Sequence, residues 1–178
     1  MASAKEPLER VLAIDPALRN TGFAVIERGP SGREYRAVTY GTIKNAPKVL
    51  QSGCLVATRD ALDEVIQKHK PTVCAIEATI FVQSFKTAIT LGAARGACLI
   101  AAAHHGLPIF EYAPRRVKQA VVGKGGADKS QVAFMMRALL GLTETPDHDA
   151  ADALAIGMAH FYTSDPAKAA LNGKSARI

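Results

Sequence analysis

Two short runs, Val11-Leu12-Ala13-Ile14 and Val73-Cys74-Ala75-Ile76, constrain the fold more than any other feature of the chain. Each is apolar at every position rather than at every second one. Each therefore reads as a strand buried on both faces, over 10–15 and 72–77. Such strands lie inside a sheet and need a layer of helix on either side. Both runs also end on an acid, Asp15 in the first and Glu77 in the second. The carboxyl ends of central strands are where open α/β sheets place their ligands.

The segments around these runs supply the other layers. A turn over 16–21 leads to a second strand, 22–27. Gly29-Pro30-Ser31-Gly32 then marks a hairpin into a third strand, 34–43, completing an antiparallel meander. Helical periodicity covers 48–69, with Val49, Val56, Leu62, Val65 and Ile66 on one broad face. A long helix over 84–105 stops at Gly106 and Pro108, and 109–112 is a short strand. Pro114 suits the first turn of a further helix, and Asp128 suits the N-cap of a helix over 129–140 that Gly141 ends. Pro146 and Asp147 open a last helix running to about 162. The expectation is an α/β fold with a central mixed five-stranded sheet flanked by helices. One domain spans 10–163, with 1–9 and 164–178 as frayed termini.

At 178 residues the chain can bury a real core. It carries 22 Lys and Arg against 16 Asp and Glu, a surplus of +6 that favours a polyanionic partner. Cys54, Cys74 and Cys98 are odd in number, lack C-x-x-C spacing and lie in apolar stretches. They read as buried free thiols in a reducing compartment, which makes the cytoplasm the expected location. No apolar segment follows Lys5, and the run over 99–103 is too short to cross a bilayer, so neither a signal peptide nor a membrane partner is expected.

Asp149 and Asp152 add two more carboxylates, three apart at the start of the last helix. Two carboxylates about 4 Å apart repel by roughly 4 kcal/mol at an effective dielectric near 20. Four converging acids therefore require cations or raised pKa values. Hard oxygen ligands with open positions suit Mg²⁺ or Mn²⁺, and two divalent ions balance four negative charges. A two-metal site activates a water and stabilises the leaving oxygen of a phosphodiester, and the chain offers no convincing Ser, Cys or His triad to do so instead. Each acid also has an ordinary reading. Asp15 opens a turn, Glu77 pairs with an Arg, and the two helix acids complement the dipole. Two buried strands that both end in acid favour the shared metal site.

The stretch Val11-Leu12-Ala13-Ile14-Asp15-Pro16, with Arg19 and Thr21-Gly22-Phe23, resembles the opening motif of the RuvC family of Holliday junction resolvases. Further matches follow in order: Ala75-Ile76-Glu77, Leu91-Gly92-Ala93-Ala94-Arg95-Gly96, Val117-Lys118-Gln119-Ala120-Val121-Val122-Gly123, Lys129-Ser130-Gln131-Val132, and Asp149-Ala150-Ala151-Asp152-Ala153-Leu154-Ala155. Together they cover about 10–162. The resemblance implies a ribonuclease H-like three-layer fold and a homodimeric, Mg²⁺-dependent endonuclease that nicks two strands of a four-way DNA junction in recombination and repair. It implies Asp15, Glu77, Asp149 and Asp152 as catalytic metal ligands and Lys118 and Lys129 as basic DNA contacts. It also suggests a RuvA–RuvB branch-migration partner.

The chain departs from the family pattern at two places. Ala17 stands where the family usually has Gly, so the turn there must avoid positive φ. Ile80 stands where the family often has a junction-stacking aromatic, with Phe81 beside it and Val82-Gln83-Ser84 replacing the usual basic or Asn residues.

Among other residues, Phe81 is the stacking candidate and Phe85 a core residue. Arg115 and Arg116 begin the helix of Lys118 and are candidate phosphate positioners. His148 is a solvated helix-start residue or a proton shuttle. His69, His104, His105 and His160 lack ligand spacing and read as structural or exposed. The loop over 123–126 lacks Walker spacing, which argues against nucleotide hydrolysis. Three rival functions remain at this point: a catalytically silent junction-binding module, an RNA-processing nuclease of the same fold, and a sugar-kinase-like phosphotransferase. The last normally needs two such domains.

Overall fold

The computed structural model describes residues 8–79, 84–164 and 176–178. Its elements are β1 (Arg10–Asp15), β2 (Asn20–Arg28), β3 (Tyr35–Lys44), α1 (Gln51–His69), β4 (Val73–Glu77), α2 (Phe85–His104), β5 (Ile109–Tyr112), α3 (Pro114–Val122), α4 (Lys129–Leu140), α5 (His148–Ser164) and β6 (Ala176–Arg177). The strands form one sheet in the order β3-β2-β1-β4-β5-β6. β1, β2 and β3 make the antiparallel meander, while β4 runs parallel to both β1 and β5. The two fully apolar runs are thus adjacent central strands, as their composition requires.

The sheet has six strands, not five. Ala176 pairs with Glu111 and Arg177 with Phe110, antiparallel to β5, and the Ile178 N–H donates to the Ile109 carbonyl at 3.1 Å. The end of the segment expected to fray therefore covers the outer edge of β5. A two-residue strand is too short for any side-chain alternation to announce it.

Alternation along β1 and β4 divides the core. Val11, Ala13, Val73 and Ala75 face the layer built from α3, α4 and α5, whereas Leu12, Ile14, Cys74 and Ile76 face α1 and α2. All three cysteines are buried and free. In α1 the row Cys54, Thr58, Leu62, Ile66 is buried, at i, i+4 spacing. Val56, expected on that face, is 52% exposed, because the helix meets the sheet along a row rotated away from it. Phe85, expected in the core, is 92% exposed at the start of α2. With mean hydropathy 1.2, α2 is also long and apolar enough to cross a membrane by length and composition alone, which the sequence reading did not expect. Its inner row, Ala94, Ala97, Cys98, Ala101 and Ala102, is nevertheless packed into the domain.

α5 is buried along most of its length and crosses β1 and β2 at close range. Two glycines permit this approach. A Cβ on Gly157 would lie 2.8 Å from Ile26 Cδ1, and one on Gly22 would lie 2.0 Å from the Asp149 carbonyl oxygen. The turn at Ala17 avoids positive φ as expected, since Lys70 is the one non-glycine with positive φ among the described residues.

Candidate active site

Asp15 and Glu77 end neighbouring parallel strands, one position beyond the Ile14–Ile76 pair. Ala13 and Ala75 face the α5 layer, so alternation turns Asp15 and Glu77 to the same side. There the two carboxyls lie close enough to act on each other's ionisation. Burial and the neighbouring charges of Glu77 and Asp152 push the Asp15 carboxyl up to about 8. Burial, with the charge of Asp152, also raises that of Glu77. The pair therefore holds a proton in the absence of a cation, as expected of acids forced together in a low-dielectric setting.

The third element is the first turn of α5. Asp147 caps it: its Oδ1 accepts from the Ala150 N–H at 2.9 Å and from the Thr42 hydroxyl at 2.8 Å. Burial opposes ionisation of Asp147, but these bonds and the Lys44 charge outweigh it and hold its carboxyl below the usual range. The Thr42 bond ties the helix start to β3, and Gly22 seats it on β2. Asp149 and Asp152, three apart on this turn, are both half-buried. Asp152 carries a charge felt by Asp15 and by Glu77, which places it at the same site.

Lys129, the first residue of α4, reaches Asp152 with Nζ 3.1 Å from Oδ2. Asp128 fixes the helix start through a capping box with Gln131, at 2.9 and 3.0 Å. Partial burial lowers the Lys129 pKa, and the bond to Asp152 with the charges of Asp152, Asp149 and Asp15 more than reverses that, leaving it raised. Lys118, half-buried on α3, lies near enough for its charge to favour ionised Glu77. Arg115 and Arg116 are exposed at the start of α3. Arg115 also lies across Gly125, where a Cβ would meet its Cγ at 2.7 Å.

Among the described residues, no three His, Cys, Asp or Glu side chains close into a metal cage. The donor set nevertheless fits a divalent ion held at an open site. Its oxygens are hard, and the Asp15–Glu77 pair retains a proton that a cation would displace. Mg²⁺ sites commonly use one or two carboxylates, waters and substrate phosphates rather than a full protein cage.

The sequence reading named Asp15, Glu77, Asp152, Lys129 and Lys118, and these converge. Asp149 shares the α5 turn. His148 is exposed. His160 is buried with Nδ1 2.7 Å from the Tyr112 hydroxyl, and burial pushes it down to about 4, which makes it a neutral structural residue. Phe81 and Ile80 lie outside the described residues. Two supports were missed. Asp147 was read as a helix opener without its tie to Thr42. Gly22 was read as a strand residue, and only the packed helix reveals why it has no side chain.

Residues 11–160 match the family model described as "Crossover junction endodeoxyribonuclease RuvC". The chain belongs to the RuvC family. A RuvC from Akkermansia muciniphila is 56% identical over 160 residues, covering 90% of this chain and 95% of that protein. One from Halorhodospira halophila is 43% identical over 167 residues, covering 93% and 98%. Among solved structures, T. thermophilus RuvC in complex with Holliday junction substrate superposes with a TM-score of 0.82 at 31% identity. That match covers 96% of this chain and 99% of the other. The fold is thus the ribonuclease H-like fold of RuvC enzymes, and family membership makes the chain a nuclease that uses divalent metal.

Proposed function

We propose that this RuvC-family chain resolves four-way DNA junctions by paired nicks, with Asp15, Glu77, Asp149 and Asp152 as its catalytic metal ligands. The observation that carries the assignment is the convergence of Asp15 and Glu77, at the ends of adjacent parallel strands, with Asp152 from the first turn of α5. It is an arrangement of acids with too little positive charge beside it. Two Mg²⁺ ions per subunit, with Mn²⁺ able to substitute, supply that charge and the electrostatic stabilisation that phosphodiester hydrolysis requires.

The remaining residues bind and orient. Lys129 holds Asp152 in place and puts a cation at the rim of the site. Lys118, Arg115 and Arg116 lie on α3, on the β4–β5 side, and are assigned to DNA phosphates. Phe81, which follows Glu77 by four residues in the sequence, is assigned to base stacking. We assign the active form as a homodimer, because a two-fold axis lets two sites meet the pseudo-symmetric junction. The row Phe85, Ile89, Gly92, Gly96 and Ile100 along α2, exposed except for the half-buried Gly96, supports this. Ile89 is 71% and Ile100 61% exposed, and a Cβ on either glycine would meet no atom within 4 Å. The cytoplasm and a RuvA–RuvB type partner complete the assignment.

Asp15→Asn separates this reading from a silent junction-binding module. The variant is expected to bind a synthetic four-way junction like the parent and to nick it undetectably in Mg²⁺. Nicking by the variant at the parental rate would refute the site.

A further inference from the structure

The cations so far assigned to DNA all lie on the β4–β5 side of the acids. On the other side, where β2 begins and β3 ends, the surface holds a groove of about 490 Å³ lined by Arg19, Asn20, Lys44, Asn45, Ala46 and Pro47. Asn20 and Lys44 are register partners, as are Gly22 and Thr42, and Gly22 pairs in turn with Asp15. Lys44 therefore stands two strands across from Asp15 and two residues further out from the same end of the sheet. With strands about 4.8 Å apart and about 3.4 Å per residue, that is about 12 Å between backbones.

The groove is preformed. Arg19 Nη1 donates to the carbonyls of Ala46 at 2.7 Å and Val49 at 2.9 Å. Asn45 donates from its backbone N–H to the Arg19 carbonyl at 2.8 Å, and from Nδ2 to the Leu18 carbonyl at 3.0 Å and Thr58 Oγ1 at 3.2 Å. These bonds pin the loop after β3 to the turn after β1. Asn20, Lys44 and Lys48 are left exposed, and among the described residues neither lysine has a salt bridge. The adjacent carboxylate, Asp147, feels the Lys44 charge but forms no salt bridge with it, its Oδ1 accepting from Thr42 and the α5 backbone instead.

We propose that this groove is a second phosphate-binding subsite, which holds the DNA strand as it leaves the acids on the β2–β3 side. Lys44 is its cation and Asn20 its neutral donor. The inference rests on the junction-nuclease reading above. A strand crossing the acids is then gripped on both flanks, which fixes its register over the reacting phosphate. Consecutive phosphates of one strand lie about twice the 3.4 Å axial rise apart in space, so the contacted phosphate is about two nucleotides from the scissile one.

The test is junction binding in EDTA across a salt series for the parent, Lys44→Gln and Lys44→Arg. It is repeated on junctions carrying one neutral methylphosphonate at successive positions. Lys44→Gln is expected to flatten the slope of log K against log salt by about one per engaged subunit, and Lys44→Arg to restore it. One methylphosphonate, about two nucleotides from the cut, is expected to weaken the parent and leave Lys44→Gln unaffected. An unchanged slope, or no position whose effect vanishes in Lys44→Gln, overturns the subsite while parental nicking still upholds the junction-nuclease reading. A parent that neither binds nor nicks junctions overturns both.

Discussion

Gly22→Ala isolates the geometry on which the acid cluster depends. The added Cβ would lie 2.0 Å from the Asp149 carbonyl oxygen and 2.7 Å from its carbonyl carbon, both backbone atoms that no rotamer change can move. Even a close C–H···O contact keeps carbon and oxygen about 3.3 Å apart, so the first turn of α5 must retreat by about 1.3 Å. That turn carries Asp149 and Asp152, whereas Asp15 and Glu77 stay on their strands. A misplacement of about 1 Å at reacting groups can cost about a hundredfold in rate. Overpacking of this kind costs about 1–3 kcal/mol in stability, or about 2–12 °C in melting temperature for a chain of this size. The assay is single-turnover nicking of a saturated four-way junction at a temperature where the variant is fully folded, with binding measured in parallel. Gly41→Ala is the control, since its Cβ would meet the Phe23 ring at an ordinary 3.4 Å. A folded Gly22→Ala protein that nicks within about twofold of the parent would refute the argument that close packing of α5 on β2 sets the site.

The remaining predictions concern charge and assembly. The folded Asp15 pKa, up to about 8, lies above its unfolded value of 3.8, so this group's contribution to stability is complete below 3.8 and lost as pH rises through 8. Asp15→Asn should therefore raise the metal-free melting temperature at pH 8–9 and give little gain near pH 4, and a pH-independent difference would contradict the shared proton. Adding Mg²⁺ at pH 8 should stabilise the parent more than this variant, read by the same thermal scans. Lys129→Met removes the cation 3.1 Å from Asp152 and should slow nicking by about tenfold to a hundredfold at saturating metal, with a rate within twofold of the parent as the contrary result. Ile89→Asp, at a position 71% exposed on α2, should sediment as a monomer and uncouple the two nicks, whereas a dimeric variant would remove α2 from the interface.

Much of this site was legible because its main signal is local. A strand apolar on both faces that ends in an acid predicts both a central position and a carboxylate at the sheet's carboxyl end, and β1 and β4 fulfil both. The meander, the short strand 109–112 and the Asp128 cap were likewise local in origin. What stayed hidden depends on contacts between distant segments. Val56 and Phe85 are apolar residues on helices whose buried row is set by the surface they meet, not by their own periodicity. β6 exists because β5 offers it an unpaired edge. Gly22 and the Thr42–Asp147 bond bring residues more than 100 positions apart together, and no spacing rule reaches that far.

The central claim is that these four acids cut two strands of a four-way DNA junction. Mapping the products of a mobile junction labelled in turn on each of its four strands, in Mg²⁺, tests it most directly. The account predicts nicks at symmetry-related positions on two opposing strands, none on a linear duplex of the same sequence, and none from Asp15→Asn. Comparable cutting of the linear duplex or of structured RNA, or parental cutting by Asp15→Asn, would contradict it.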